Sequence, residues 1–74
     1  MARARQLIIC VDNTGYEVSL ERRKIYLSVP DAAAQKRGLI RVIDESGEDY
    51  LYAEDMFVAA TLPASVRKAV LQAA

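Results

Sequence analysis

The side chains best suited to acid–base or metal chemistry are six carboxylates in the second half of the chain, Asp44, Glu45, Glu48, Asp49, Glu54 and Asp55. General acid–base catalysis requires two carboxylates with separated pKa values in one cleft, and calcium requires a ligand ladder such as the D-x-[DN]-x-[DN]-G loop. Neither spacing occurs, and the sequence contains no histidine. We therefore expect no metal site and no cofactor, but a solvated acidic face that could still dock a basic partner.

Cys10 is the only thiol of the sequence. A nucleophilic cysteine needs a neighbouring base, whereas Cys10 lies within the apolar run of residues 7–11. Gly-rich motifs that cradle phosphates are absent as well. We expect Cys10 to be an inert core residue and the protein not to be an enzyme. A lone cysteine also agrees with a reducing compartment, which favours a cytoplasmic location.

The four tyrosines, Tyr16, Tyr26, Tyr50 and Tyr52, are the strongest candidates for contact with a protein partner. On a strand, Tyr50 and Tyr52 would share a face, and Tyr26 could lie beside them across the sheet. Together with Glu48 and Asp49, the tyrosines form the predicted partner-binding set. The competing interpretation is that the tyrosine rings cover a small β-barrel or pack under a C-terminal helix, both of which are predicted below, with their hydroxyls reaching solvent.

Six cations offer a different function, the binding of nucleic acid and of RNA in particular: Arg22, Arg23, Lys24, Lys36, Arg37 and Arg41. Phosphate contacts of this kind are common among small barrels. The pI of about 6.2 and the zero formal net charge weigh against it. The charges are also segregated along the chain, so a further interpretation is that the two halves interleave and their charges pair across strands.

Hydrophobic periodicity predicts the strands that would position these groups. Residues 6–12 indicate a central strand that ends in the turn at 12–15, and a second run with period two covers residues 25–29 after the alternation of Val18 and Leu20. In that run, Ile25, Leu27 and Val29 lie on one face, with Tyr26 and Ser28 on the other. Further strands are expected at residues 39–44, 49–52 and 56–60.

Helical signals occur at two places. Residues 31–38 resemble one or two helical turns, with Asp31 as the N-cap and Gly38 at the exit. Pro63 fits the first turn of a C-terminal helix that reaches about residue 72, with an apolar stripe that includes Val66 and Val70 and extends to Leu62 and Ala69. The predicted fold is mostly β: a five-stranded small barrel with a short helical connection and a C-terminal α-helix. A chain of 74 residues indicates one domain over 1–74, with the barrel at 6–60 and the helix at 62–72.

Four segments resemble landmarks of the Src-homology-3-type small barrel. Residues 9–13 stand where that family has its ALYDY strand, residues 18–26 resemble its diverging turn, residues 44–47 its distal hairpin, and residues 52–58 the turn before its last strand. The family binds proline-rich peptides in an aromatic groove, but the corresponding positions hold Val11, Asn13, Ala53 and Met56, and there is no tryptophan. The resemblance therefore implies the fold without polyproline recognition.

The string from residue 39 to 52 also resembles short uncharacterised bacterial proteins, which implies a small bacterial protein. The apolar run behind the two positive charges of residues 1–5 is too short for a signal peptide or a membrane span, so we expect no membrane association. Our hypothesis is a non-enzymatic protein-protein interaction module or small accessory subunit whose partner is unknown. Self-association as a homodimer and nucleic-acid binding are the alternatives.

Overall fold

The computed structural model describes residues 5–73, so the N-terminal segment considered above lies outside the described residues except for Arg5. The described strands are β1 (Gln6–Cys10), β2 (Ile25–Val29), β3 (Leu39–Ile43), β4 (Asp49–Ala53) and β5 (Phe57–Ala59). The helices are α1 (Ala32–Lys36) and α2 (Ala64–Gln72), and a 3-10 turn at Glu54–Met56 separates β4 from β5. The prediction of a mostly β fold with five strands, a short helical connection and a C-terminal helix is confirmed.

All strand pairs are antiparallel, and the order across the sheet is β4-β3-β2-β1-β5. The sheet curls into a half-barrel, with β4 and β5 as its two edges. Residues that pair across neighbouring strands project from the same face of the sheet. Ile8 pairs with Tyr26, and Val42 pairs with both Ser28 and Tyr50. The even-numbered residues of β1 to β4 therefore share the concave face, since side chains alternate along each strand.

The hydrophobic core lies on this concave face. It consists of buried side chains from the strands, from the loop between β1 and β2 and from the 3-10 turn: Ile8, Cys10, Leu20, Tyr26, Val42, Tyr52, Met56 and Phe57. Tyr26 and Ser28, the polar side of β2, face the core, while the aliphatic side of that strand is only half-buried. Hydrogen bonds explain this orientation, because the Ser28 hydroxyl donates to the Gln6 carbonyl and the Tyr26 hydroxyl also has partners.

Helix α1 connects β2 to β3 and packs on β3. Asp31 is the N-cap as predicted, because its carboxylate accepts a hydrogen bond from the Ala34 N–H at 3.0 Å. The same side chain accepts from the Arg41 guanidinium at 2.9 Å, so the helix start is tied to the middle of β3. Gly38 follows the helix with a φ of +72°, the left-handed conformation expected of it.

Helix α2 begins after Pro63 and contributes no buried residue. Its half-buried side chains are Arg67 and Val70, whereas Val66 is exposed. The Arg67 guanidinium donates to the Arg5 carbonyl at 2.6 Å, which holds α2 beside the start of β1. The predicted apolar stripe is therefore wrong at two positions, because Val66 and Ala69 are exposed and the helix presents Arg67 to the protein in place of Val66.

Every predicted strand except the one at residues 25–29 differs from the structure by one or two residues at one or both ends, and the two differences that matter most are at the end of β1 and before β5. β1 ends at Cys10, and residues 11–24 form one loop with turns, so Val18 and Leu20 are not in a strand. The last strand begins at Phe57, because Met56 closes the 3-10 turn that precedes it. Both differences arise where the chain turns to leave the sheet, where local hydrogen bonds outweigh the alternating apolar pattern.

Candidate functional site

Two of the four tyrosines lie in the core and cannot contact a partner. Tyr26 and Tyr52 are 5% and 4% exposed. The Tyr52 hydroxyl donates to the Asp44 carboxylate at 2.5 Å, and the Tyr26 hydroxyl donates to the Glu45 carboxylate at 2.5 Å. The predicted shared face of Tyr26, Tyr50 and Tyr52 does exist in the strand register, but it is the concave face that forms the core, so an exposed patch made of all three is wrong.

Burial and the hydroxyl contacts together shift the pKa values of both members of each pair. Burial, followed by the hydrogen bond to Asp44, raises the pKa of Tyr52 to about 12. Burial also acts to raise the pKa of Asp44, but hydrogen bonds from Ser46 and Tyr52 outweigh it and hold that pKa below the ordinary value. Each tyrosine thus stays a neutral donor and each carboxylate a charged acceptor, a combination that gives strong hydrogen bonds.

Tyr16 and Tyr50 are exposed, at 45% and 52%. The Tyr16 ring packs edge-on against the Tyr52 ring, with 4.9 Å between their centroids. Tyr50 lies two residues before Tyr52 on β4 and therefore projects from the same side of that strand. The buried Tyr52 ring thus contacts the exposed Tyr16 ring directly and lies two residues from the exposed Tyr50 along β4.

The loop at residues 11–24 is ordered by hydrogen bonds along its length. The Asp12 carboxylate accepts from the Thr14 N–H, and the Asn13 side-chain amide donates to the Leu20 carbonyl at 3.0 Å. The Ser19 carbonyl accepts from the Glu45 N–H at 3.0 Å, which joins the loop to the turn between β3 and β4. Leu20 completes the attachment by inserting its side chain into the core.

Val18 lies on this loop and is 96% exposed. Its neighbours on both sides are held, since the Leu20 N–H donates to the Tyr16 carbonyl at 2.8 Å and Ser19 bonds to Glu45. The loop therefore holds an aliphatic side chain in water at a defined position. We call Tyr16, Val18 and Tyr50 the loop face. Val18 is not among the predicted site residues, and the signal that could have found it is an aliphatic residue between Glu17 and Ser19 in a segment rich in turn residues.

Glu48 and Asp49 lie at the end of the distal turn, the turn between β3 and β4, and both are exposed. The Arg41 guanidinium donates to the Asp49 carboxylate at 3.3 Å, whereas within residues 5–73 no ion pair involves Glu48. These two acids are thus accessible beside Tyr50, as the predicted partner-binding set requires. Their binding to a partner stays a prediction.

The six predicted nucleic-acid contacts lie before β2, after β2 and on β3. Arg22, Arg23 and Lys24 precede β2, whereas Lys36 and Arg37 follow its other end in α1 and its C-cap. A five-residue strand separates the groups by roughly 13 Å. Arg23 has a φ of +71°, and its N–H donates to the Cys10 carbonyl at 2.8 Å, so the backbone of the first group is fixed to β1.

Two of the six cations are already paired with carboxylates. Lys24 lies 2.5 Å from the Glu45 carboxylate, and Arg41 contacts both Asp31 and Asp49. The pair between Lys24 and Glu45 and the pair between Arg41 and Asp49 each join the basic first half of the chain to the acidic second half. Two charge pairs therefore link the halves, and RNA binding stays a prediction, with Arg22, Arg23, Lys36 and Arg37 outside the ion pairs of residues 5–73.

The structure shows the surroundings of the Cys10 thiol and of the carboxylates that were considered for catalysis or metal binding. Cys10 is fully buried, and burial raises the pKa of its thiol, which disfavours the nucleophilic thiolate. Among residues 5–73, no group of three or more histidine, cysteine, aspartate or glutamate side chains could hold a metal ion. No helix within this range is long and apolar enough to cross a membrane.

No family model matches the sequence, and comparisons with curated proteins and with solved structures found no match.

Proposed function

We infer that this chain is a non-enzymatic protein-interaction module, or the small subunit of a larger assembly, and that it binds its partner through the loop face. The observation that carries this proposal is Val18, an aliphatic side chain 96% exposed on a loop that is hydrogen-bonded on both sides of it. Loops of more than about 12 residues without secondary structure are uncommon in compact domains and are usually functional. The loop of residues 11–24 belongs to this class.

The order of the loop favours binding. A side chain that is already held in position loses little conformational freedom when a partner covers it, so more of the contact energy contributes to affinity. Tyrosine adds large contact area with few rotatable bonds, and Tyr16 is further restrained by its contact with the Tyr52 ring. The loop face therefore combines an aliphatic anchor with aromatic side chains on a rigid support.

The charges near the loop face indicate the chemistry of the partner. Glu17 adjoins Val18 in the chain, Glu48 lies two residues before Tyr50, and both carboxylates are exposed. Neither takes part in an ion pair within the described residues. In a protein segment with an apolar anchor flanked by lysine or arginine, the cations would form ion pairs with these two carboxylates. The carboxylates would also attract such a segment over a distance of about one Debye length.

The same proposal includes the finer fold assignment and the setting. A Src-homology-3-like barrel is supported by the strand order, the long first loop and the 3-10 turn before the last strand. Because the positions of the aromatic groove hold Val11, Asn13, Ala53 and Met56, the proposed ligand is not a polyproline helix. A bacterial and cytoplasmic setting stays part of the hypothesis.

Site-specific photocrosslinking in cells tests the proposal. A benzophenone amino acid replaces Val18 in one variant and Lys36 in the control, since both positions are exposed and they lie on the segments that precede and follow β2. We expect one defined protein adduct from position 18 and none from position 36. Adducts with RNA at position 18, or identical protein adducts from both positions, would contradict the proposal; the first result would favour nucleic-acid binding instead.

A further inference from the structure

The convex face of the sheet is apolar although it does not form the core. By register it carries eight half-buried or exposed Leu, Ile and Val side chains, beside the buried Leu7 and the charged Arg41 and Asp49: Ile9, Ile25, Leu27, Val29, Leu39, Ile43, Leu51 and Val58. An antiparallel sheet with one face on the core commonly has its other face solvated and polar. A convex face of this composition indicates that a second protein surface covers it.

Charged side chains flank part of this convex face. A shallow groove of about 600 Å³ is lined by Val29 and Ile43, by Arg5, by Glu48 and Asp49, and by Gly47 and Tyr50 of the distal turn and β4. Arg5 precedes β1 and the two acids lie at the start of β4, while β2 and β3 lie between those strands in the sheet. The cation and the acids therefore border the aliphatic pair from opposite sides.

The charges of this groove do not neutralise each other within one copy. Among residues 5–73, no ion pair involves the Arg5 guanidinium or the Glu48 carboxylate, whereas Asp49 is bound to Arg41. An apolar strip with a cation on one side and an anion on the other is complementary to itself. A twofold axis that lies in the interface and runs along the strip places the cation of each copy opposite the anion of the other.

We propose that the convex groove binds a second copy of this chain in a twofold symmetric dimer, in which Arg5 of each copy pairs with Glu48 of the other. The aliphatic side chains of the two convex faces then cover one another. A standard interface buries roughly 800 Å² per partner. That is about one seventh of the 5428 Å² of accessible surface, which a single face can supply. The groove and the loop face share Tyr50 and the Glu48 carboxylate at their border, whereas Val18 does not line the groove.

Charge reversal distinguishes this dimer from other associations. Arg5→Glu places two acids in contact in its own homodimer, and Glu48→Arg places two cations in contact. Each substitution should raise the dimer dissociation constant at least tenfold in sedimentation or light scattering. An equimolar mixture of the two variants should restore dimers, because the new acid of one variant then faces the new cation of the other, and the unaltered Arg5 and Glu48 also meet. The Arg5 carbonyl that binds Arg67 is unchanged by the first substitution.

A second pair of variants tests the apolar part of the interface. Leu51→Asp alters an exposed side chain of the convex face and should abolish the dimer, while Val18→Asp alters an exposed side chain of the loop and should leave the mass unchanged. Circular dichroism checks that each variant is folded. A monomeric wild-type protein up to millimolar concentration, or charge-reversed variants that stay dimeric or fail to re-associate when mixed, would overturn the proposal.

Discussion

At the residue scale, two adjacent carboxylates of the distal turn each receive a tyrosine hydroxyl from the core. Asp44 binds Tyr52, and Glu45 binds Tyr26 and the Lys24 ammonium. The hydrogen bond from Lys24, followed by that from Tyr26, lowers the pKa of Glu45. The turn is therefore part of the structure that holds the core together, and its acids are not simply a solvated face.

Removal of the Tyr52 hydroxyl tests this role. Tyr52→Phe leaves the buried Asp44 carboxylate with the Ser46 contacts alone, which should lower the free energy of unfolding by roughly 1–3 kcal/mol at neutral pH. Because the pKa of folded Asp44 is lowered, its contribution is complete above the unfolded value of about 4 and is lost as the pH falls through the folded value. Urea unfolding at several pH values should therefore show the two proteins converging in acid.

Tyr50→Phe is the matched control, since Tyr50 is exposed and makes no hydrogen bond within the described residues through its hydroxyl. Its stability should stay within about 0.5 kcal/mol of the wild type at every pH. An effect of Tyr52→Phe as small as that of the control would show that the Asp44 contact contributes nothing.

At the element scale, the loop of residues 11–24 depends on Leu20 for its attachment to the core. Leu20→Ala should cost roughly 2–5 kcal/mol in the free energy of unfolding, because it leaves a cavity beneath the loop. Val18→Ala shortens an exposed aliphatic side chain of the same loop and should change stability by less than about 0.5 kcal/mol. Chemical denaturation measures both, and equal effects would contradict the described placement of the loop.

The strands and turns could be predicted from the sequence because their signals are local. Alternating apolar residues and the glycines at positions 15, 38 and 47, which all have positive φ, indicate where the chain runs straight and where it turns. The core face of β2 could not be predicted, since both of its faces carry apolar residues. Only distant partners decide it: Tyr26 is placed inside by Glu45, which is 19 residues away.

The candidate site was predictable only in part for the same reason. Tyr16 and Tyr50 are predicted contacts and are exposed, but the burial of Tyr52 depends on Asp44, a turn residue whose local sequence indicates solvent. Val18 escapes prediction because its alternation with Leu20 resembles a strand. In the structure the Val18 side chain lies in water and the Leu20 side chain lies in the core. A loop allows this difference, whereas a regular strand would place both side chains on the same face.

At the scale of the whole molecule, a small half-barrel presents two apolar surfaces that border each other at Tyr50 and Glu48. The concave face is closed by its own core residues, while the convex face and the loop face stay accessible. The Lys24 ammonium pairs with the Glu45 carboxylate, whereas among residues 5–73 the charges of Arg5, Glu17 and Glu48 take part in no ion pair. We propose the convex face as the surface for a second copy and the loop face as the surface for a different partner.

The most direct test of the account measures the affinity of the crosslinked partner, once purified, by titration calorimetry. Val18→Asp should weaken binding at least tenfold, because it places a charge at the centre of the loop face, and its melting temperature should be that of the wild type. Val58→Asp is the control, since Val58 is also exposed but lies on the convex face, and it should bind as the wild type does. Unchanged affinity of Val18→Asp, or equal loss in both variants, would contradict the assignment of the loop face.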